Sequence, residues 1–157
     1  MESLTVPTTQ RCQMIDVTAE VQAAVRQAGL TNGCVVCFVP HTTAGITIQE
    51  NADPDVVHDV LWKLQQLVPH REASYLHGEG NSDAHIKCSL IGMSQMVLVE
   101  DGRLVLGTWQ GLYFCEFDGR VIIYYSWGNQ LGIEHLADAV YDGTQAQFLR
   151  GWFPKKN

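Results

Sequence analysis

The period of the hydrophobic positions changes several times along the chain, and each change marks an element. Residues 11–17, Arg-Cys-Gln-Met-Ile-Asp-Val, read as a first strand. Thr18 is a good N-cap residue, Glu20 favours a first helical turn, and Val21, Ala24, Val25 and Ala28 recur at helical spacing. Gly29 stops that helix at C′. Thr31-Asn32-Gly33 makes a turn. Cys34 to Val39 is then a continuous apolar run rich in β-branched residues, the pattern of a buried strand. Pro40 to Gly45 interrupts it, and Ile46 to Glu50 alternates apolar and polar as a strand does. Asp53-Pro54 opens a helix, with Asp as N-cap and Pro at N1. Val57, Val60, Leu61, Leu64, Leu67 and Val68 follow at helical spacing, and Pro69 comes just after the end.

A loop over 70–81 leads to Asp83–Leu90. There Ala84, Cys88 and Ile91 keep helical spacing and Gly92 is a stop; a short strand is the competing assignment. Two hairpins are predicted next. Met96–Val99 and Leu104–Leu106 flank Asp101-Gly102, and Leu112–Phe117 and Val121–Tyr125 flank Asp118-Gly119, both type I′ turn signals. The character changes after Ser126. Trp127-Gly128-Asn129 reads as a break, and 133–141 and 144–152 as two short helices. The expected organisation is a domain over 1–126 with an appended tail, 127–157, that covers apolar surface. The element order β-α-β-β-α-α-β-β-β-β predicts an α+β fold, a mostly antiparallel sheet packed with two to three helices.

A chain of 157 residues suits one domain with a sizeable core. Charged residues make up only 17%, which suggests that a second subunit covers part of the surface. The net charge of −7 and the lack of any basic run argue against nucleic acid as a partner. No apolar run is long enough to span a bilayer, so no membrane association is expected. The first residues lack the basic-then-apolar pattern of a signal peptide, which predicts a cytoplasmic protein. Five cysteines, an odd number, then read as free thiols. Cys34 and Cys37 sit three apart in a predicted strand and point to opposite faces, so they cannot share a metal and are expected in the core.

The densest chemistry lies in His77-Gly-Glu-Gly-Asn-Ser-Asp-Ala-His85, with two histidines, two carboxylates and an amide in nine residues. Gly78 and Gly80 allow close approach of the backbone to a ligand, and Asn81 or Ser82 can cap the helix that follows. With His41 upstream, three histidines admit three readings: a shared metal such as zinc, anion binding or acid–base work without a metal, and structural hydrogen bonding. Thr42 and Thr43 offer hydroxyl donors, and a helix start near Ser82 offers N–H groups to an anion. Glu116 is either solvent-facing or buried for a purpose. Trp109 can stack on a planar ring or anchor an interface. Asp53 reads as a cap, and Asp118 as a turn residue. His58, His70 and His135 lie outside these motifs, and no catalytic role is expected of them.

Three motifs together resemble the YjbQ family, whose members are often named secondary thiamine-phosphate synthase. They are His41-Thr-Thr-Ala-Gly-Ile-Thr-Ile-Gln-Glu-Asn-Ala-Asp-Pro54, the His77–His85 loop, and Gly102-Arg-Leu-Val-Leu-Gly-Thr-Trp-Gln110 with Glu116-Phe-Asp-Gly119. The similarity covers roughly residues 10 to 125. The resemblance implies an α+β fold in a homotrimer, with a polar site near subunit boundaries. It also implies an activity that couples a pyrimidine diphosphate to a thiazole phosphate. Family members usually carry a proline between the Gly and Arg after the last aspartate, whereas here Arg120 follows Gly119 directly.

The expected site therefore has His41, His77 and His85 binding a divalent metal, zinc or magnesium, or the substrate phosphate. Asn81 and Glu116 would orient partners, Thr42 and Thr43 would bind the anion, and Trp109 would stack. The alternative is a non-catalytic trimer that binds a metal or a phosphorylated metabolite with the same residues.

Overall fold

The computed structural model describes residues 2–119 and, beyond them, strands within 123–129, 132–133, 138–141 and 146–149. The chain begins with β1 (Glu2–Leu4) and β2 (Gln13–Asp16), followed by α1 (Thr18–Gln27). Then come β3 (Gly33–Phe38), β4 (Ala44–Glu50), α2 (Pro54–Leu67) and α3 (Ser82–Ile91). The last elements are β5 (Ser94–Glu100), β6 (Arg103–Leu104), β7 (Gln110–Glu116), β8 (Ile123–Asn129), β9 (Gly132–Ile133), β10 (Asp138–Tyr141) and β11 (Ala146–Leu149). This is the expected α+β class with antiparallel pairing. The strands divide between sheets: one ordered β1-β8-β3-β5-β6 with β9 on β8, one ordered β2-β7-β4, and the pair β10-β11.

β7 explains how the layers stack. Leu112 and Phe114 enter a first core with Val21 and Val25 of α1 and Val35, Cys37, Val97 and Val99 of the larger sheet. Tyr113, Cys115 and Phe117 enter a second core with Ala84 and Cys88 of α3, against which Val57 and Leu64 of α2 pack. A central strand covered on both faces is buried from Gly111 to Phe117.

Local chemistry sets the element ends. Asp53 caps α2 by accepting the Asp55 N–H at 2.9 Å, and Pro54 takes the first helical position. Thr18 begins α1 but does not cap it. Val17 holds the N-cap position, Asp16 accepts the Thr18 N–H, and the Thr18 hydroxyl accepts from Leu112 N at 2.8 Å. That hydroxyl tethers α1 to β7. Segment 82–91 is helical rather than a strand. Its C-cap Gly92 has φ 91, and the Gly92 carbonyl accepts the Ile46 N–H at 3.0 Å. A Cβ at Gly45 would meet that same carbonyl at 2.5 Å, so only glycine lets β4 approach the end of α3.

Four expectations are corrected. Asp101-Gly102 does form a hairpin turn, with φ of 49 and 73, but Asp118-Gly119 does not. β7 pairs with β2 and β4, whereas β8 pairs with β1 and β3 in the other sheet. Glu116 accounts for this, because its Oε1 accepts the N–H groups of Phe117, Asp118 and Gly119 at 2.9, 2.8 and 2.9 Å. The side chain thus organises the turn, and the chain leaves its sheet.

In the tail, β8 runs through the expected break at 127–129, and β10 pairs with β11 where helices were expected. Val140, Tyr141 and Phe148 suit strands, and Asp142-Gly143 between them is a hairpin signal the helical reading passed over. Of the two cysteines expected in the core, Cys37 is buried and its thiol is pushed up to about 12 by burial, while Cys34 on the opposite face is half-buried.

Candidate functional site

The segment between α2 and α3 wraps one wall of a cavity of about 510 Å³. His70, Arg71, Glu72 and Tyr75 line it from the start of the segment, and His77, Glu79, Gly80 and Asn81 from its end; Asp118, after β7, completes the lining. The segment is folded on itself, with the Tyr75 hydroxyl donating to the Pro69 carbonyl at 3.2 Å.

Behind this wall lies Asp83, in the first turn of α3, with no exposed surface. Arg11 grips it with two bonds, Nη1 to Oδ2 at 2.9 Å and Nη2 to Oδ1 at 2.8 Å. Lys87, one helical turn on and itself only 2% exposed, donates to Oδ2 at 2.7 Å. His70 Nδ1 lies 3.1 Å from Oδ1. Burial pushes the Asp83 carboxyl up, but the hydrogen bonds from Arg11, Lys87 and His70 outweigh it and hold the group well below the usual carboxylate range. Arg11 also reaches Asp118 at 3.3 Å, and Asn81 Nδ2 donates to Asp118 at 2.7 Å. One network therefore joins the segment before β2, the loop, α3 and the end of β7.

Among the described residues, three buried side-chain atoms have no hydrogen-bond partner: Asn81 Oδ1, His85 Nε2 and Glu116 Oε2. Asn81 occupies the N-cap position of α3, but its amide turns to Asp118, so no side chain caps that helix. Burial raises the Glu116 carboxyl above its ordinary value, and the three N–H groups on Oε1 only partly oppose the rise.

The expected site residues are distributed as follows. His77 and His85 meet edge to face, with ring centroids 5.1 Å apart, and His77 Nε2 lies 3.7 Å from Glu79. His41 sits on the β3–β4 connection. Its Nδ1 meets the Thr43 hydroxyl at 2.9 Å, and its carbonyl accepts from Cys88 of α3 at 3.7 Å. Thr43 is buried and already bonded to His41, while Thr42 is exposed. Trp109 is 64% exposed in the β6–β7 connection and is not part of the cavity wall. Among the described residues, no three His, Cys, Asp or Glu side chains form a group that could hold a metal ion. His58 is solvent-facing beside Asp59; His135 lies outside the described residues.

The sequence reading missed His70, Arg71, Tyr75 and Arg11. Asp83 and Lys87, four apart on one helix, carried a readable pairing signal. Arg11 and His70 stand 72 and 13 residues from Asp83, where no local pattern operates.

An α+β protein with two cores and a polar cavity over a buried ionic network is the class that fold and site define. The family model described as UPF0047 protein YjbQ-like matches residues 2–126, and the chain belongs to that family. It is 53% identical over 119 residues to the UPF0047 protein YugU of Bacillus subtilis, covering 76% of this chain and 90% of that protein. A UPF0047 protein of Archaeoglobus fulgidus is 40% identical over 126 residues, covering 76% and 96%. Among solved structures, a YjbQ/UPF0047 family protein from Clostridium acetobutylicum is 50% identical with a TM-score of 0.76, covering 80% of this chain and 96% of its own. A conserved hypothetical protein from Thermus thermophilus is 42% identical with a TM-score of 0.73, at the same coverages of 80% and 96%.

Proposed function

We propose that this chain is a small-molecule enzyme that joins a pyrimidine diphosphate to a thiazole phosphate, acting as a homotrimer with the cavity beside the His77–His85 loop as its active site. The observation that carries the reading is the set of buried, unpartnered atoms, two of which belong to Asn81 and His85 at the start of α3. Leaving such an atom unsatisfied costs about 1–3 kcal/mol, so a bound molecule that satisfies it recovers that energy on binding. The start of α3 adds N–H groups and a positive dipole end suited to phosphate oxygens.

In the coupling reaction the thiazole nitrogen attacks and diphosphate departs. The chain must orient two substrates, exclude water and stabilise charge on the leaving group; no protein nucleophile is needed. His77 and Asn81, which line the cavity, and His85, which is outside the lining but whose ring meets His77 edge to face, are the groups assigned to the diphosphate, and Arg71 is the cation in the lining.

His77 and His85, two neighbouring imidazoles with Glu79 near His77, supply donor types that zinc accepts, although the described residues do not gather three of them into one group. Zinc or magnesium would be held by His77 and His85, with His41 as the further candidate, and would supply charge stabilisation for the diphosphate. Self-assembly is supported by an outward row on the larger sheet. Met96 and Leu98 are 65% and 60% exposed there and pair in register with Val36 and Cys34.

The second reading, a non-catalytic trimer that binds a metal or a phosphorylated metabolite, is favoured by one observation. The lining carries Glu72, Glu79 and Asp118 against Arg71 alone, which suits a cation better than a bare diphosphate. Incubating purified protein with both substrates and following thiamine phosphate separates the two. Product above background is expected; none, with tight binding of zinc or of inorganic diphosphate, would leave the binding reading in its place. Elemental analysis of protein prepared without a metal-affinity tag tests the ion, and full activity in a metal-free sample would remove it from the account.

A further inference from the structure

We propose that His70 is the proton donor of the cavity, oriented by Asp83 and serving the phosphate group that leaves. The inference rests on the reading of the cavity as the site of the coupling reaction. His70 lines the cavity, and 42% of its side-chain surface is open to it and to solvent.

Its orientation is fixed from behind. Nδ1 is 3.1 Å from Asp83 Oδ1, and Asp83 is fully buried with Arg11 and Lys87 also bonded to it. An ionised carboxylate can only accept, so Nδ1 carries its hydrogen and donates it. The other ring nitrogen, Nε2, is then the one left for a bound molecule. A carboxylate behind an imidazole, setting its tautomer and orientation, is the arrangement that fits histidine for proton transfer. The two cations on Asp83 keep it in place and ionised through the cycle.

The other charged and titratable groups that line the cavity with His70 are Arg71, Glu72, Tyr75, His77 and Glu79 of the same segment and Asp118 after β7. None of them is bonded to His70 within the described structure.

The step balances as follows. The bond between the pyrimidine methylene carbon and the ester oxygen of the diphosphate breaks, and its electron pair goes to that oxygen. The thiazole nitrogen lone pair forms the new C–N bond, which leaves a positive thiazolium. The proton on Nε2 of the His70 imidazolium passes to the released diphosphate, and His70 is left neutral with hydrogen on Nδ1. Water returns the Nε2 proton once product has left.

The test compares wild type with His70→Gln, His70→Ala and the control His58→Gln, which makes the same change at an exposed His–Asp pair. Loss of a proton donor should lower kcat on the order of 10²–10⁴-fold while KM stays within about threefold, and added imidazole should restore part of the His70→Ala rate. The control should match wild type. Nitrogen-15 spectra of the histidine rings should show His70 protonated at Nδ1 in the free wild-type protein at high pH.

Wild type active with His70→Gln at the same kcat would overturn the proposal and leave the site reading standing. A loss of rate that imidazole does not restore, with raised KM, would make His70 a binding group only. A wild type that forms no product would sink the site reading and this proposal with it. A neutral His70 protonated at Nε2 would overturn the orientation argument whatever the activity.

Discussion

Asp83 is a buried carboxylate bonded to Arg11, Lys87 and His70, and that environment makes a direct claim about acid stability. Three donors meet on a carboxylate with no exposed surface, and one of them, Lys87, is itself buried. A carboxyl held below its ordinary value of 3.8 contributes stability in full above that pH. The contribution declines as pH falls below 3.8, because the unfolded chain takes up the proton first. Asp83→Asn should therefore cost about 3–5 kcal/mol near pH 7, since it leaves Lys87 buried without its charge partner. Urea unfolding at pH 7 and pH 3 measures both effects. The gap between variant and wild type should narrow at pH 3, and a gap that is equal at both would contradict the linkage. Little of this was legible in the sequence. The Asp83–Lys87 spacing was there to read, but burial and the distant Arg11 decide how strong the pairing is.

At the scale of elements, what local chemistry encodes was legible and what long-range packing encodes was not. α2 announced itself through Asp53-Pro54 and its apolar spacing, and the structure keeps both. The Asp101-Gly102 hairpin was equally local. In place of the supposed second hairpin, a buried carboxylate, Glu116, takes the Phe117 N–H, which a two-residue turn would have paired across the strands, together with the N–H groups of Asp118 and Gly119. Gly45 is another long-range case: nothing nearby in sequence says that Gly92 O lies where its Cβ would be. Gly45→Ala should cost about 1–3 kcal/mol by forcing β4 and α3 apart. Thermal unfolding measures the loss. Because that contact also holds the His41 connection against α3, turnover at a temperature where the variant is folded should fall too. An unchanged melting temperature would mean that the backbone gives way without cost.

For the whole molecule, the two cores bury β7 on both faces but leave other apolar surface open. Met96 and Leu98 on the larger sheet are joined by Trp62 and Leu67 on α2 and by Leu76, 96% exposed, beside His77. The low charged fraction foreshadowed such a surface; only the register of β3 with β5 shows that Met96 and Leu98 form one row with Val36 and Cys34. If the chain assembles as the proposed homotrimer and that row is the contact between copies, Leu98→Glu should leave it monomeric at micromolar concentration, since a buried unpaired charge costs several kcal/mol at each contact. Sedimentation equilibrium gives the mass directly. A trimer that survives Leu98→Glu would place the assembly contact elsewhere.

The central claim is that the cavity beside the His77–His85 loop makes product. It is tested most directly by the rate of thiamine phosphate formation in purified wild type and His85→Ala, measured on samples shown to have the same oligomer mass. The account predicts turnover in wild type and a loss on the order of 10²–10³-fold in the variant, the scale of removing one preorganised electrostatic partner. Equal rates in the two proteins, or no product from either, would contradict it.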